Sequence, residues 1–167
     1  RACTVQGDLS VPDAPRGIVG EVVNRLGGLG ILVNNASIFG RMRLGDYDAD
    51  AWRREMAVNL EAPAALSHYA ADHLRAGGQG KIVNICDISA YRPWAGHLAY
   101  CASKAGLVCL TKALARELAP EVQVNGVSPG IAEFPPEYDE STREKLVGRV
   151  PLRRAGSPED IARAVRF

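Results

Sequence analysis

Histidine and cysteine are scarce, and neither is spaced for chemistry of its own. The three histidines, His68, His73 and His97, and the four cysteines, Cys3, Cys86, Cys101 and Cys109, show no metal-ligand spacing. No disulfide framework is visible. Cys101 and Cys109 fall on one predicted helix, too far apart to bridge. The cysteines therefore read as reduced thiols of a cytoplasmic protein, with Cys101 a small helix-packing residue. Net charge is nearly absent, at 20 basic against 19 acidic residues, so nothing favours a nucleic-acid or membrane partner. No apolar run reaches the roughly 18 residues of a membrane span, and no secretory signal is visible.

What is present is enough for a core: 167 residues, 47% of them hydrophobic, read as one domain, 1–167. Cys3-Thr-Val-Gln reads as a short strand ending at Gly7-Asp8-Leu9. Residues 12–26 predict a helix, with Val19, Val22, Val23 and Leu26 at near-helical spacing. Ile31–Asn34 is a short apolar run bounded by turn signals, and predicts a buried strand. A long helix is expected from about Ala49 to Leu74, a strand over Lys81–Ile85, a helix from about Leu98 to Leu118, and a strand over Val122–Gly126. Pro135-Pro136 opens an irregular region, residues 138–148 read as a polar helix, and Ser157-Pro158-Glu159 starts a last helix as N-cap and first-turn proline. Alternating strand and helix implies an α/β fold, a doubly wound parallel sheet covered on both faces.

Tyr100 and Lys104 are four apart on the predicted Leu98–Leu118 helix and so share one face. A buried ammonium beside a phenol favours its anion, which would suit Tyr100 to proton donation near neutral pH. Asp87 precedes Tyr100 by thirteen residues, at the end of an apolar strand. Open α/β sheets place chemistry at the carboxyl ends of strands. Alone, Tyr-x-x-x-Lys is equally an amphipathic pair on a solvated helix. Its surroundings resemble the short-chain dehydrogenase/reductase family, from about Asp8 to Phe167. The resemblance rests on Asn34-Asn35-Ala36-Ser37, Val58-Asn59-Leu60, Ser128-Pro129-Gly130 and Pro158-Glu159-Asp160-Ile161-Ala162, in the family's order and spacing.

The resemblance implies a Rossmann-like fold, an NADPH cofactor (NAD not excluded), and Tyr100, Lys104, Asp87 and Asn59 as the catalytic set. Asn59 would hold the backbone and water arrangement that orients Lys104. Asp8 and Leu9 would meet the adenine. Asn35, Ala36 and Ser37 would line the ribose and nicotinamide, and Pro129, Gly130 and Ile131 would cap the carboxamide. Most members carry Ser where Asp87 stands; Ser89 is the alternative occupant in a shifted register. Asp in that place, with Ser37 and then an aromatic at Phe39, resembles the pteridine reductase branch. Ser37, Phe39, Asp87 and Tyr100 would then contact a pterin or dihydropterin, with Phe39 stacking on the flat ring. The plainer readings are Phe39 as a core or lid residue, Asp87 as a turn acid, and Trp94 as packing rather than site mouth. The three histidines read as surface or structural.

A dinucleotide-binding domain opens with a strand, a Gly-rich turn and a helix that holds the pyrophosphate. No such turn follows a first strand here, and Gly27-Gly28-Leu29-Gly30 closes a helix instead. The chain is expected to lack the first βαβ unit and the C-terminal strand, as a fragment or the ordered part of a longer chain. The expected protein is a homo-oligomer, a tetramer, paired through the two long helices. A carbonyl or alcohol oxidoreductase of the same family, perhaps acting on 3-oxoacyl groups, is the second enzymatic reading. An inert truncated domain that only self-associates is the non-enzymatic one.

Overall fold

The computed structural model of the chain describes residues 2–136 and 138–167. Three strands, β1 (Ile31–Asn34), β2 (Gly80–Ile85) and β3 (Val122–Val127), form a parallel sheet in that order. The register sets Asn34 beside Asn84, and Ile85 beside Val127, so the strands' carboxyl ends lie level. Around them run α1 (Ala14–Leu26), α2 (Ala49–Met56), α3 (Ala62–Ala76), α4 (Leu98–Glu117), α5 (Glu140–Val147) and α6 (Pro158–Arg166).

Local chemistry accounts for the helix ends. Pro15 starts α1, and Gly27 closes it at φ 86°, a left-handed conformation that costs glycine nothing. The Asp48 carboxylate accepts from the amides of Asp50 and Ala51 at the start of α2. Ser157 and Asp160 form a reciprocal capping box at α6, as the Ser157-Pro158 signal predicts. The core joins Ala70 and Leu74 of α3 to Ile82, Val122 and Val124 of the sheet, with Leu118 just past α4.

Four expectations need correction. Cys3–Gln6 is extended but pairs with no strand among the described residues. It lies along α1, where Arg25 donates to the Thr4 carbonyl, and without a neighbouring strand its backbone has no ladder to join. The expected long helix from Ala49 continues to Ala76 but is interrupted by a π-helical turn, Ala57–Glu61, in which the Ala62 amide bonds back to Ala57. Pro63 supplies the cause: it has no N–H to offer the Asn59 carbonyl four residues earlier, so the regular ladder breaks there. The sheet is not covered on both faces throughout, since Ile31 and Val33 on one face of β1 remain 57% and 41% exposed. Finally, α4 is long and apolar enough to cross a membrane by length and composition. That apolarity serves packing, because Ala99, Cys101, Leu107 and the side chains of Tyr100 and Lys104 are buried within the domain.

Candidate active site

The site forms where β2 ends. Asp87, one residue beyond the strand after Cys86, does two things. Its Oδ1 accepts from the Ser89 amide at 2.7 Å, which caps a 3-10 turn over Ile88–Ala90. Its Oδ2 accepts from the Tyr100 hydroxyl at 2.9 Å. Asp87 is therefore a turn acid through one oxygen and the hydrogen-bond partner of Tyr100 through the other. Ser89 lies in the 3-10 turn rather than on a strand; its buried hydroxyl has no partner among the described residues. Tyr100 takes Asp87 as its partner.

Lys104 stands one helical turn after Tyr100, only 3% exposed. Its Nζ donates to the Ile85 carbonyl at 2.9 Å and sits 5.6 Å above the Tyr100 ring. Burial pushes the Lys104 ammonium below its ordinary range, opposed by the Asp87 charge. The expected acidification of Tyr100 is reversed. Burial comes first, then the Asp87 charge and hydrogen bond, and together they hold the phenol well above its ordinary range. The Lys104 ammonium, bound to the Ile85 carbonyl and 5.6 Å from the ring centroid, is not among the causes acting on the phenol. The Tyr100 hydroxyl thus donates to Asp87 and is less acidic than a free phenol.

Asn59, in the middle of the π turn, is fully buried. Its Oδ1 accepts from the Ile38 amide at 2.8 Å and the Ser37 hydroxyl at 3.2 Å. Its Nδ2 donates to the Ile38 carbonyl at 2.9 Å and to Ser103 Oγ at 3.1 Å. The Ser103 hydroxyl in turn donates to the Tyr100 carbonyl at 2.8 Å. Asn59 therefore clamps the loop after β1 to the helix of Tyr100 and touches the neighbour of Lys104 rather than Lys104 itself. Deeper in, Asn34 donates to Asn84 and Asn84 to Thr111 of α4, a buried polar rung that locks β1, β2 and α4 together.

Aromatic rings gather over Tyr100. Phe39 stacks on His97 with centroids 4.4 Å apart and planes 9° apart, and meets Tyr100 edge-on at 4.7 Å and 81°. Trp94 lies nearly parallel to Tyr100 at 6.3 Å. Phe39 nevertheless stays 48% exposed, so it is a wall of the site and not core. Trp94, 39% exposed, packs against Phe39 and Tyr100. His97, expected to be surface or structural, is part of this cluster.

The remaining residues divide by location. Asn35, Ala36 and Ser37 are exposed along the loop after β1. The Pro129 carbonyl accepts from the Ile88 amide at 3.2 Å, Gly130 passes close to Ile88, and the Ile131 carbonyl accepts from Gly156. These loops follow the carboxyl ends of the strands, where open α/β sheets place ligands. Asp8 is bound to Ser10 by two hydrogen bonds, which hold its carboxyl below the ordinary range, and lines a cleft of about 740 Å³ with Trp52, Arg54 and Glu61. Leu9 beside it is half-buried. Among the described residues no Gly-rich turn precedes a helix N-terminus as a pyrophosphate cradle.

Sequence reasoning missed Glu55, Gly40 and Ser103. Glu55 looks like one more charge on a polar helix, yet it is buried, with the Gly40 amide as its hydrogen-bond donor. Its spacing of four from Asn59, which puts both on one helical face, is the signal that was available.

A parallel sheet with a Tyr–Lys pair and a buried Asn at the strand ends defines a class of dinucleotide-dependent fold, and comparison with known proteins names the family. A family model described as enoyl-(acyl carrier protein) reductase matches residues 1–167. The 3-oxoacyl-acyl-carrier-protein reductase FabG of Thermotoga maritima is 33% identical over 158 residues, covering 93% of this chain and 64% of that protein. Nodulation protein G of Azospirillum brasilense is 32% identical over 165 residues, covering 97% and 67%. Among solved structures, FolM alternative dihydrofolate reductase 1 from Brucella canis, complexed with NADP, superposes with a TM-score of 0.90 at 34% identity, covering 99% of this chain and 65% of that one. The chain belongs to the short-chain dehydrogenase/reductase family. It spans between 57% and 70% of the length of the curated relatives it matches.

Proposed function

We propose that the protein is an NADPH-dependent reductase whose substrate is a pterin or dihydropterin ring, with Tyr100 and Asp87 delivering the proton. The observation that carries this reading is the 2.9 Å hydrogen bond from the Tyr100 hydroxyl to Asp87 Oδ2. Hydride addition to a ring C=N leaves a nitrogen that needs a proton; the Tyr100 hydroxyl would give up its own, and half-buried Asp87 would replace it with a proton taken up from outside the site. Phe39, exposed and edge-on to Tyr100, offers a flat face to a flat ring. The likeness to FolM, a dihydrofolate reductase by description, supports the same reading.

The bound dinucleotide would supply the hydride. This chain's part is to bind and orient. Lys104 is held by the Ile85 carbonyl with its ammonium toward the Tyr100 ring, placed for a ribose hydroxyl. Asn35–Ser37 and Pro129–Ile131 lie in the loops beyond the strand ends. Burial of Tyr100 and Lys104 excludes water from the proton path. The complete protein is proposed to be a cytoplasmic homotetramer joined through α2–α3 and α4; sedimentation velocity tests the assembly.

A carbonyl or alcohol oxidoreductase is the second reading, favoured by the Tyr100–Lys104 pair, which a carbonyl oxygen would satisfy as well, and by the likeness to FabG. Asp87→Ser in the complete protein separates the two. With NADPH and a panel of dihydrobiopterin, folate and simple ketones, the pterin reading expects selective loss of pterin turnover. Equal losses for pterins and ketones, or no pterin turnover in the wild type, would sink it.

A further inference from the structure

Two residues outside the proton path hold the wall of the site. Glu55 is 3% exposed, and its Oε1 accepts from the Gly40 amide at 2.9 Å. The Gly40 carbonyl, on the other side of that residue, pairs with His97 Nδ1 at 2.9 Å. A carbonyl only accepts, so Nδ1 carries the proton. Gly40 is thus gripped at both its N–H and its C=O. A Cβ there would stand 2.9 Å from Glu55 Oε2, so any side chain at this position would push the carboxylate aside. The next residues continue the strap: the Met42 amide donates to Gly96, and the Leu98 amide donates back to Met42. The imidazole of His97 lies flat against Phe39, the residue before Gly40.

A carboxylate buried against one amide is costly to desolvate. Burial pushes its pKa up. A neutral amide side chain would make the same hydrogen bond at lower cost. Glu55 makes no hydrogen bond to Asp87, Tyr100 or Lys104, and its charge is the smallest of the causes that raise the Tyr100 phenol. What it does touch is the backbone that aims Phe39, and the other end of that strap is the first turn of the Tyr100 helix.

We infer that Glu55 and His97 are positioning residues which grip Gly40 from both sides, fix Phe39 edge-on to Tyr100, and thereby set the preference for flat-ring substrates over small carbonyl compounds. The substrate part of this inference rests on the reductase reading above; the clamp does not.

The test uses the complete protein labelled with 5-fluorotryptophan. Trp94 lies 6.3 Å from both Phe39 and His97, so its fluorine resonance, assigned by its loss in Trp94→Phe, reports on the Phe39 wall. Glu55→Ala is expected to shift that resonance and to raise KM for 7,8-dihydrobiopterin by about 3–10-fold, the worth of a lost aromatic face. Over the same change kcat should stay within about twofold, and KM for a small ketone should not move. Glu55→Gln keeps the acceptor for Gly40 and should restore both readouts. His97→Phe keeps the stack but loses the donor, and should shift the resonance even if Glu55→Ala does not fold. His97→Asn keeps a donor and should shift it less. An unmoved resonance in Glu55→Ala and His97→Phe, or equal shifts from Glu55→Gln and Glu55→Ala, would overturn the clamp. No pterin turnover in the wild type would remove the substrate part, and the clamp would then stand or fall on the resonance alone.

Discussion

Tyr100 shows how strongly one neighbour decides a side chain's chemistry. A nearby lysine suggests a phenol poised to ionise. The hydroxyl is instead bound to Asp87, and burial and that charge keep its proton in place. Tyr100→Phe keeps the ring and removes only the acid. In the complete protein it should lower kcat by about 10²–10⁴-fold while cofactor affinity, measured by calorimetry, stays near wild type. A second residue-scale expectation concerns Glu55, whose carboxyl is raised from 4.5 by burial, against the Gly40 amide and His97. The native state then holds this proton to higher pH than the unfolded chain does. Its stabilising contribution is full below the unfolded value and is lost as pH rises through the folded one. Urea midpoints of wild type and Glu55→Gln should therefore converge near pH 4.5 and diverge above it, with the glutamine variant the more stable at neutral pH. Parallel midpoint curves would show that Glu55 does not titrate differently on folding.

At the level of elements, the π turn is the piece on which the site hangs. It widens the helix so that Asn59 faces inward, where one side chain joins the Ile38 backbone, Ser37 and Ser103. Asn59→Ala would leave the half-buried Ile38 amide and carbonyl without their side-chain partner, at roughly 1–3 kcal/mol for each such group. We expect an overall loss of about 2–4 kcal/mol in urea unfolding of the complete protein, with little change in far-ultraviolet dichroism, since the helices on either side remain. A loss below about 0.5 kcal/mol would mean the clamp is replaced by water at no cost.

Over the whole molecule, the expected dinucleotide contacts fall at the loops beyond the strand ends and at Asp8, which lines a cleft. No helix N-terminus with a Gly-rich turn joins the two among the described residues. A polypeptide of residues 1–167 alone should therefore bind NADP(H) poorly, because the charged pyrophosphate would have no ring of amides to meet it. Calorimetry that gives micromolar affinity for this polypeptide would refute that expectation.

Much of this was legible in the chain itself. Helix and strand positions follow from local signals that act over a few residues: Pro15 and Gly27 bound α1, Ser157-Pro158 opens α6, and short apolar runs mark β1, β2 and β3. The spacing of four puts Tyr100 and Lys104 on one helical face, and the resemblance of the surrounding motifs to the family brought Asp87 to them. What needed the folded chain was everything set by a neighbour distant in sequence. Cys3–Gln6 has strand-like residues but no strand beside it, so its composition decided nothing. The π turn depends on Pro63 and on a loop twenty residues earlier that Asn59 can reach. The direction of the Tyr100 shift depends on which partner its hydroxyl faces, and on how deeply it is buried. Glu55 reads as a solvated charge until the fold wraps Phe39, Gly40 and His97 around it. Hydrogen bonds between segments far apart in the chain, and the desolvation that packing imposes, leave no periodic trace in the order of residues.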